Sequence, residues 1–435
     1  MVIKQKHLIE FQIYYLMIVE ALIQLLHFPE IIRYILDVNA IVLIIMALPK
    51  IKNMLNDKIF KNFNIYVLVF MGTLVAFSII RRTPIGQVVW AIRNNYIYIL
   101  FLFVCAYTLR AKDFSRIINN VVKLQVFNVI CILYEFFILN KMGDYAGGMF
   151  GIQHGCNGLL NVYLVVINAY IFTAYANKKA SLLRVAWIAL SSVGIAATSE
   201  LKFFFIELAT IVVLSLSLSR LSVKNTLLVV SAIGAIFIGL EILSVVSPWS
   251  VEVLQDFDQT THYATNSYNS TLITRGTPFS DVNKHFFGDN IFYKLFGYGF
   301  GACEDSESFA WANSAFATKY RTLQYRNLTT SDRYLETGYI GFIALILVFV
   351  LLFYIAQKQK KENPDIRYAY AFTQTICVLV IINFWYNCTI RTTIAYLTFF
   401  ALSAAFVYTR DKKLKEAELI AQSQPKKKTY FKQSR

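Results

Sequence analysis

Long apolar segments recur along this chain from its first residues, and most approach the length that crosses a lipid bilayer. A helix needs about 20 apolar residues to span about 30 Å of hydrocarbon. The chain is 57% hydrophobic and only 16% charged, with a mean hydropathy of +0.51, which is too apolar for a soluble protein of 435 residues. The sequence therefore predicts an all-α integral membrane protein with about twelve transmembrane helices.

The predicted spans divide the chain into four parts. Nine helices lie within residues 1–245, a large loop follows at 246–336, three more helices lie within 337–408, and a basic tail occupies 409–435. The predicted spans are 9–27, 31–48, 65–80, 97–109, 117–139, 159–175, 183–197, 203–218, 226–243, 339–355, 368–386 and 392–408.

The distribution of positive charge predicts the orientation. If the N-terminus is cytoplasmic, most lysines and arginines fall in cytoplasmic segments, as the positive-inside rule requires. They include Lys50, Arg110, Lys178, Lys360 and the tail from Arg410. Both termini are then cytoplasmic, and the large loop is extracytoplasmic. The net charge of +16 is thus mostly a consequence of topology, and the basic tail is expected to lie against anionic lipid rather than nucleic acid.

Several charged residues need another explanation. Lys202 follows Glu200 in a very short turn at the predicted outer surface, where a cation can meet an anionic ligand or simply pair with Glu200. Arginines on the outer side oppose the topological bias and fit either an anionic ligand or lipid phosphates. Charged residues within the predicted spans leave a transporter as an alternative function, because a carrier uses such groups. They are Glu20, Asp37, Lys123, Glu135 and Glu241.

Short motifs of this chain resemble those of the O-antigen polymerase and ligase superfamily, the membrane glycosyltransferases that act on lipid-linked oligosaccharides. The layout of many spans, short loops and one large outer loop before the last helices is similar. The first motif is Ser199-Glu200-Leu201-Lys202, with Lys where the family has Arg. The second is Arg275 followed at a distance by Phe296-Gly297-Tyr298-Gly299-Phe300-Gly301, and the third is the loop exit Glu336-Thr337-Gly338-Tyr339-Ile340-Gly341. The glycine-rich segment 147–158 is a weaker match.

The resemblance implies a multi-span, GT-C-type glycosyltransferase in a bacterial cytoplasmic membrane. Its substrate would be an oligosaccharide carried on polyprenyl (undecaprenyl) diphosphate, and a chain-length regulator protein would be a further partner. Ligases of this group usually have a His-Asn pair before the loop exit, whereas this chain has Thr330-Ser331-Asp332-Arg333. That difference favours a polymerase of O-antigen, capsule or exopolysaccharide repeat units over a ligase.

Cleavage of a sugar–diphosphate bond develops negative charge that fixed cations can stabilise. The sequence has no DxD motif and no His/Asp cluster with metal-ligand spacing, so it predicts a metal-independent reaction without a cofactor. Arginine matches phosphate oxygens bidentately, and lysine acts as a point charge. We expect Arg275 and Lys202 to bind the diphosphate, and the secondary candidates are Arg333, Arg326 and Arg321.

An inverting transfer to a sugar hydroxyl also benefits from a general base. Four residues of the loop are catalytic candidates for that role, and they are Asp332, Glu336, His285 and Asp281. Asp332 is favoured by its position at the loop exit, close to the membrane face. Glu336 fits equally well as a cap of the following helix, and His285 as a surface residue. The loop is rich in aromatic residues, which suits either stacking on sugars or an interfacial aromatic belt.

Two classes of function thus remain. The first is an inverting glycan polymerase, with a ligase as its nearest variant. The second is a transporter or flippase for the same lipid-linked glycans. An enzyme would place its cations at the outer rim of the bundle, whereas carriers use charged groups at mid-membrane.

Overall fold

The chain folds as a bundle of helices in a computed structural model. The structure describes residues 4–219, 223–248, 273–306 and 309–423, together with a few positions between 251 and 265. These residues contain helices and turns but no β-strand. The prediction of an all-α protein is confirmed.

The helices before the large loop are α1 (Gln5–Gln24), α2 (Ile35–Ala47), α3 (Ile51–Leu55), α4 (Lys61–Ile80), α5 (Ile85–Thr108), α6 (Ala111–Lys123), α7 (Gln125–Phe137), α8 (Asn157–Ala176), α9 (Leu182–Thr198), α10 (Lys202–Ser217) and α11 (Val223–Val246). The described part of the loop and the rest of the chain add α12 (Pro278–Val282), α13 (Ile291–Phe296), α14 (Ala315–Tyr320), α15 (Thr329–Glu362), α16 (Arg367–Asn383), α17 (Ala395–Leu402) and α18 (Ala404–Ser423).

Several of these helices can cross a membrane. Within the described ranges, 7 helical segments are long and apolar enough to do so, which supports a multi-pass membrane protein. Every predicted span falls on a helix or on consecutive helices, while the total of about twelve spans stays a prediction. The segments are Glu30–Leu55, Lys61–Ile80, Ile85–Thr108, Ala111–Phe137, Asn157–Ala176, Thr329–Glu362 and Pro364–Asn383.

Burial separates the centre of the bundle from its apolar outer surface. Every residue of α8 from Leu160 onwards is buried, because neighbouring helices surround it. Outer helices instead expose aliphatic side chains, for example Val38, Val69 and Val213 at about 60%. A water-soluble protein rarely exposes so many large apolar side chains on one surface, so this pattern fits contact with lipid.

The connecting segments gather at two ends of the bundle. At the end called here the loop end, Gln24 of α1 accepts hydrogen bonds from the backbone of Ile152 and Gln153 at 2.5 and 2.9 Å, and Ser78 of α4 donates to Phe300 at 2.7 Å. The opposite end, called the tail end, carries the ion pairs Lys6–Asp113 at 3.3 Å, Arg110–Asp411 at 3.4 Å and Lys412–Asp365 at 2.8 Å. These contacts define the two ends of the bundle, while the alternation of all the loops between them and the end that faces the cytoplasm stay predictions.

Two predicted boundaries are corrected. The segment 81–96, between the third and fourth predicted spans, is mostly helical, because α5 begins directly after Pro84, whose fixed φ suits a helix start. The end of the large loop at Glu336 stays a prediction, since α15 starts at Thr329 but is interrupted at Gly338. The last predicted span, 392–408, is split between α17 and α18, and the helix continues to Ser423. Most of 249–272 and the Lys426–Lys428 run lie outside the described residues.

A glycine interrupts α15 near its start. Gly338 has φ 61° and ψ −168°, a backbone conformation that is essentially restricted to glycine. A Cβ atom at this position would lie 2.3 Å from the carbonyl carbon of Leu295 in α13. The break separates a short helical segment, Thr329 to Thr337, from the long apolar helix that predicts a membrane span.

Replacing Gly338 tests this break. Gly338→Ala combines the backbone clash with a conformational cost of about 1–3 kcal/mol, so we expect a lower Tm of the purified protein and less folded protein in detergent. Gly72→Ala is the control, because its added Cβ meets nothing within 4 Å. Equal Tm values for Gly338→Ala and the unsubstituted protein would contradict the assigned conformation.

Candidate active site

The two glycine motifs of the large loop and its exit form one structural unit. The backbone N–H groups of Tyr298 and Gly299 donate to the carbonyls of Leu335 and Glu336 at 2.8 and 2.9 Å. Those carbonyls precede the break at Gly338, so the continuing helix does not satisfy them. A Cβ atom on Gly297 would lie 2.4 Å from the carbonyl carbon of Glu336. Glycine therefore allows the loop to pack directly on the break.

A buried group of charged side chains lies next to this unit. Glu304 and Asp332 are both fully buried. Arg391, from the segment between α16 and α17, bridges them: one of its terminal nitrogens contacts Asp332, and the other lies 2.6 and 2.8 Å from the two oxygens of Glu304. The arginine thus joins the large loop, α15 and the last loop of the chain.

Two further arginines complete this group. Arg326 donates to Glu304 at 2.8 Å, and its Nε lies 3.3 Å from Asp332. Arg333 donates from Nε to Asp332 at 2.8 Å, and its Nη2 lies 3.0 Å from Glu336. We call these six residues the charged cluster; they are Glu304, Arg326, Asp332, Arg333, Glu336 and Arg391.

The carboxylates of the charged cluster differ in how many hydrogen-bond partners they have. Asp332 contacts all three guanidinium groups, so its oxygens are committed to holding the arginines. Glu336 is also fully buried, but neither of its oxygens has a partner with hydrogen-bond geometry among the described residues. Its approach to Arg333 is a charge contact without good alignment. Glu336 is therefore the carboxylate with unused acceptor capacity.

Lys202 and Arg275 meet at a second place on the loop end. The guanidinium of Arg275 lies over the ring of Tyr386 at 5.2 Å. The ring of Phe203, the residue directly after Lys202, stacks on the same Tyr386 ring, with the two centroids 4.4 Å apart. The two cations that the sequence assigned to the diphosphate are therefore brought together. We call Lys202 and Arg275 the cation pair; Tyr386 is the aromatic residue beside it.

The surroundings of Lys202 mix burial with charge. Burial lowers the pKa of the Lys202 ammonium, and the neighbouring Arg275 acts in the same direction. Glu200, whose carboxylate lies 3.8 Å from the Lys202 nitrogen, and Asp144 oppose that shift in pKa. The positive charge of Arg275 therefore reaches the Lys202 ammonium.

The segment that carries Tyr386 packs against the start of α15, the helix that also carries Asp332. Thr329 donates from its backbone to Asn387 at 3.0 Å, and Thr330 to Phe384 at 3.1 Å. Tyr386 therefore belongs to the segment that packs against Thr329 and Thr330. Asp332 and Arg333 of the charged cluster follow these two residues in α15. A narrow, partly open cavity begins at the same contact. Polar residues at one part of it are Thr329, Asn383, Asn387 and Thr389, and its apolar walls include Val162, Val166 and Leu379.

The remaining predicted site residues lie elsewhere on the loop end. His285 is exposed in a π-helical turn, with its ring 6.4 Å from that of Phe286. Arg321 forms a half-exposed ion pair with Asp305 at 2.5 Å. The described contacts place neither residue in the charged cluster or beside the cation pair.

Sequence reasoning did not single out Arg391 and Glu304. Arg391 does oppose the positive-inside bias, because it lies in a short predicted outer loop, and that signal could have identified it. Glu304 closely follows the glycine motif that ends at Gly301. Within the described ranges, no group of three or more His, Cys, Asp or Glu side chains is arranged to hold a metal ion.

No protein-family model matches the chain, and no curated protein matches it either.

Removing Arg391 should destabilise the protein strongly. Arg391→Ala removes one of the two guanidinium groups that the buried Glu304 and Asp332 share, and loss of one member of a buried ion pair costs about 3–5 kcal/mol. We expect a clearly lower Tm in detergent. Arg321→Ala is the matched control, because an exposed pair contributes about 0–1 kcal/mol. Equal effects of the two substitutions would show that the charged cluster does not stabilise the fold.

Proposed function

We propose that the chain is a membrane glycosyltransferase that polymerises oligosaccharide repeat units carried on polyprenyl diphosphate. The observation that carries this proposal is that the charge of Arg275 acts on the Lys202 ammonium, while Arg275 lies over the ring of Tyr386, on which Phe203 stacks. The two residues come from sequence segments more than seventy positions apart, and both lie at the loop end. Two cations in a partly buried site suit a diphosphate that carries several negative charges.

The two cations suit the diphosphate of the donor. The diphosphate would bind to Lys202 and Arg275, where burial strengthens the attraction between opposite charges. As the sugar–phosphate bond breaks, the two cations would stabilise the negative charge that develops on the leaving diphosphate.

The charged cluster suits a different role. Its three arginines are matched by three carboxylates, so the arrangement fits positioning better than direct capture of an anion. In this proposal, Asp332 holds Arg333 and Arg391, and Arg333 orients Glu336. Glu336 then serves as the general base that accepts a proton from the acceptor hydroxyl, because its oxygens are otherwise unused.

The alternatives fit less well. In a ligase of this superfamily, the position before the loop exit usually carries a His-Asn pair, whereas here Asp332 and Arg333 are part of a buried ionic network. A flippase needs charged groups inside the bundle. Glu207 is such a group, since it accepts hydrogen bonds from Asn161 at 2.8 Å and from Asn383. The cations that sequence singled out, however, lie at the loop end, as the enzyme proposal requires.

Polymerisation in detergent tests the proposal directly. Purified protein, incubated with a lipid-linked repeat unit and a chelator, should give a ladder of longer glycans on a gel. Arg275→Ala and Lys202→Ala should leave single repeat units and no long chains, whereas Lys284→Ala, at an exposed lysine of the same loop, should keep the ladder. Micelles have no second compartment, so a flippase cannot produce this result. A normal ladder from Arg275→Ala would refute the assignment of Arg275.

The general base can be assigned by a second comparison. Glu336→Gln keeps the size of the side chain but removes its ability to accept a proton, so we expect the polymerisation rate to fall by about 10²–10⁴-fold. His285→Gln should change the rate little. Both rates are measured across a range of pH with folded protein checked by Tm. Strong loss of activity in His285→Gln, with Glu336→Gln active, would transfer the role to His285.

A further inference from the structure

A group of four aromatic side chains at the loop end has no role in the chemistry described so far. Trp90 of α5 contacts Phe309 and Trp311 edge to face, with ring centroids 5.2 and 5.7 Å apart. Tyr34, from the turn before α2, contacts Phe309 at 5.5 Å. We call Tyr34, Trp90, Phe309 and Trp311 the aromatic platform. Its members come from three separate segments of the chain.

The backbone fixes the platform while leaving part of it open. Trp311 packs on the start of α5 so closely that a Cβ atom on Gly86 would lie 3.0 Å from the indole ring, and Gln87 donates to the carbonyl of Asn313 at 3.1 Å. The Trp311 side chain nevertheless stays 53% exposed. The N–H of the Trp90 indole has no acceptor among the described residues. Rigid, partly exposed rings suit a ligand that offers C–H faces.

A short chain of polar contacts connects the platform to the charged cluster. The guanidinium of Arg93 lies 5.0 Å from the centre of the Trp90 ring and pairs with Asp37 at 2.7 Å. Arg93 also donates to Asn94 at 2.8 Å, and Asn94 donates to Glu304 at 2.9 Å. The platform is therefore separated from Glu304, which binds Arg391, by only two adjacent side chains of α5.

The position of these rings argues against a purely interfacial role. Aromatic side chains of a membrane belt usually point outward to the headgroup region from separate helices. Here the rings contact one another and cover an ion pair, and one member, Tyr34, ends a turn whose first residue, Glu30, lines an open groove with His27 and Gln153.

We propose that the aromatic platform binds pyranose rings of the acceptor glycan. This inference rests on the proposed polymerase function, and it adds a subsite for the acceptor that is distinct from the cation pair for the donor diphosphate. Sugar rings would stack on Trp311 and Phe309, which would direct the acceptor hydroxyl towards the charged cluster. Binding here needs no diphosphate, because the platform is built from rings and the neutralised pair of Arg93 and Asp37.

Binding of a lipid-free glycan to the full-length protein tests the platform separately from catalysis. The probe is a fluorescently tagged oligosaccharide released by mild acid from the lipid-linked repeat unit, and its Kd is measured by retention on immobilised protein in detergent. Trp311→Ala should weaken binding by at least about tenfold, the ratio that corresponds to 1.4 kcal/mol. Trp311→Phe, which keeps an aromatic face, should bind within about threefold of the unsubstituted protein.

The matched control is Trp187→Ala, which removes an indole that is 47% exposed on α9 and should not change binding. Each variant is compared at equal Tm so that misfolding is recognised. Unchanged binding by Trp311→Ala, equal weakening by Trp187→Ala, or no binding by the unsubstituted protein would each overturn the platform proposal. Absence of polymer in the parallel gel assay would instead refute the polymerase proposal and leave the binding result standing.

Discussion

Charge buried in a medium of low dielectric must be matched by opposite charge, and the loop end of this protein is built around that requirement. Asp332 is held between three guanidinium groups, and Glu304 between two. An unpaired arginine at this depth would cost several kcal/mol. The pairing therefore fixes the relative positions of the large loop, the start of α15 and the loop before α17.

The break at Gly338 makes this arrangement compatible with a membrane helix. It ends the short segment that carries Asp332, Arg333 and Glu336 and starts the long apolar helix. The carbonyls freed at the break are satisfied by the loop at Tyr298 and Gly299. Backbone hydrogen bonds and ion pairs thus attach the loop to the same short segment, which gives a rigid support beside the proposed sites for donor and acceptor.

Candidate site residues that belong to a short local motif could be identified from the sequence. The turn with Glu200 and Lys202, the two glycine motifs and the carboxylates before Gly338 were all identified, and the structure brings several of them together. Arg391 and Glu304 were not, because their contacts join residues 87 positions apart, and Arg391 meets Asp332 across 59 positions. The aromatic platform was only partly visible, since sequence gave aromatic density in the loop but no reason to combine Trp311 with Tyr34 and Trp90.

The sequence by itself determined that this is an all-α membrane protein, because apolar length and charge distribution act locally along each segment. Glycine permits the break at Gly338 but does not determine it, because Gly341 of the same motif stays helical. The tertiary structure alone decided which charges neutralise one another and which side chains keep free capacity. That outcome depends on the packing of distant helices, and no periodicity within one segment records it.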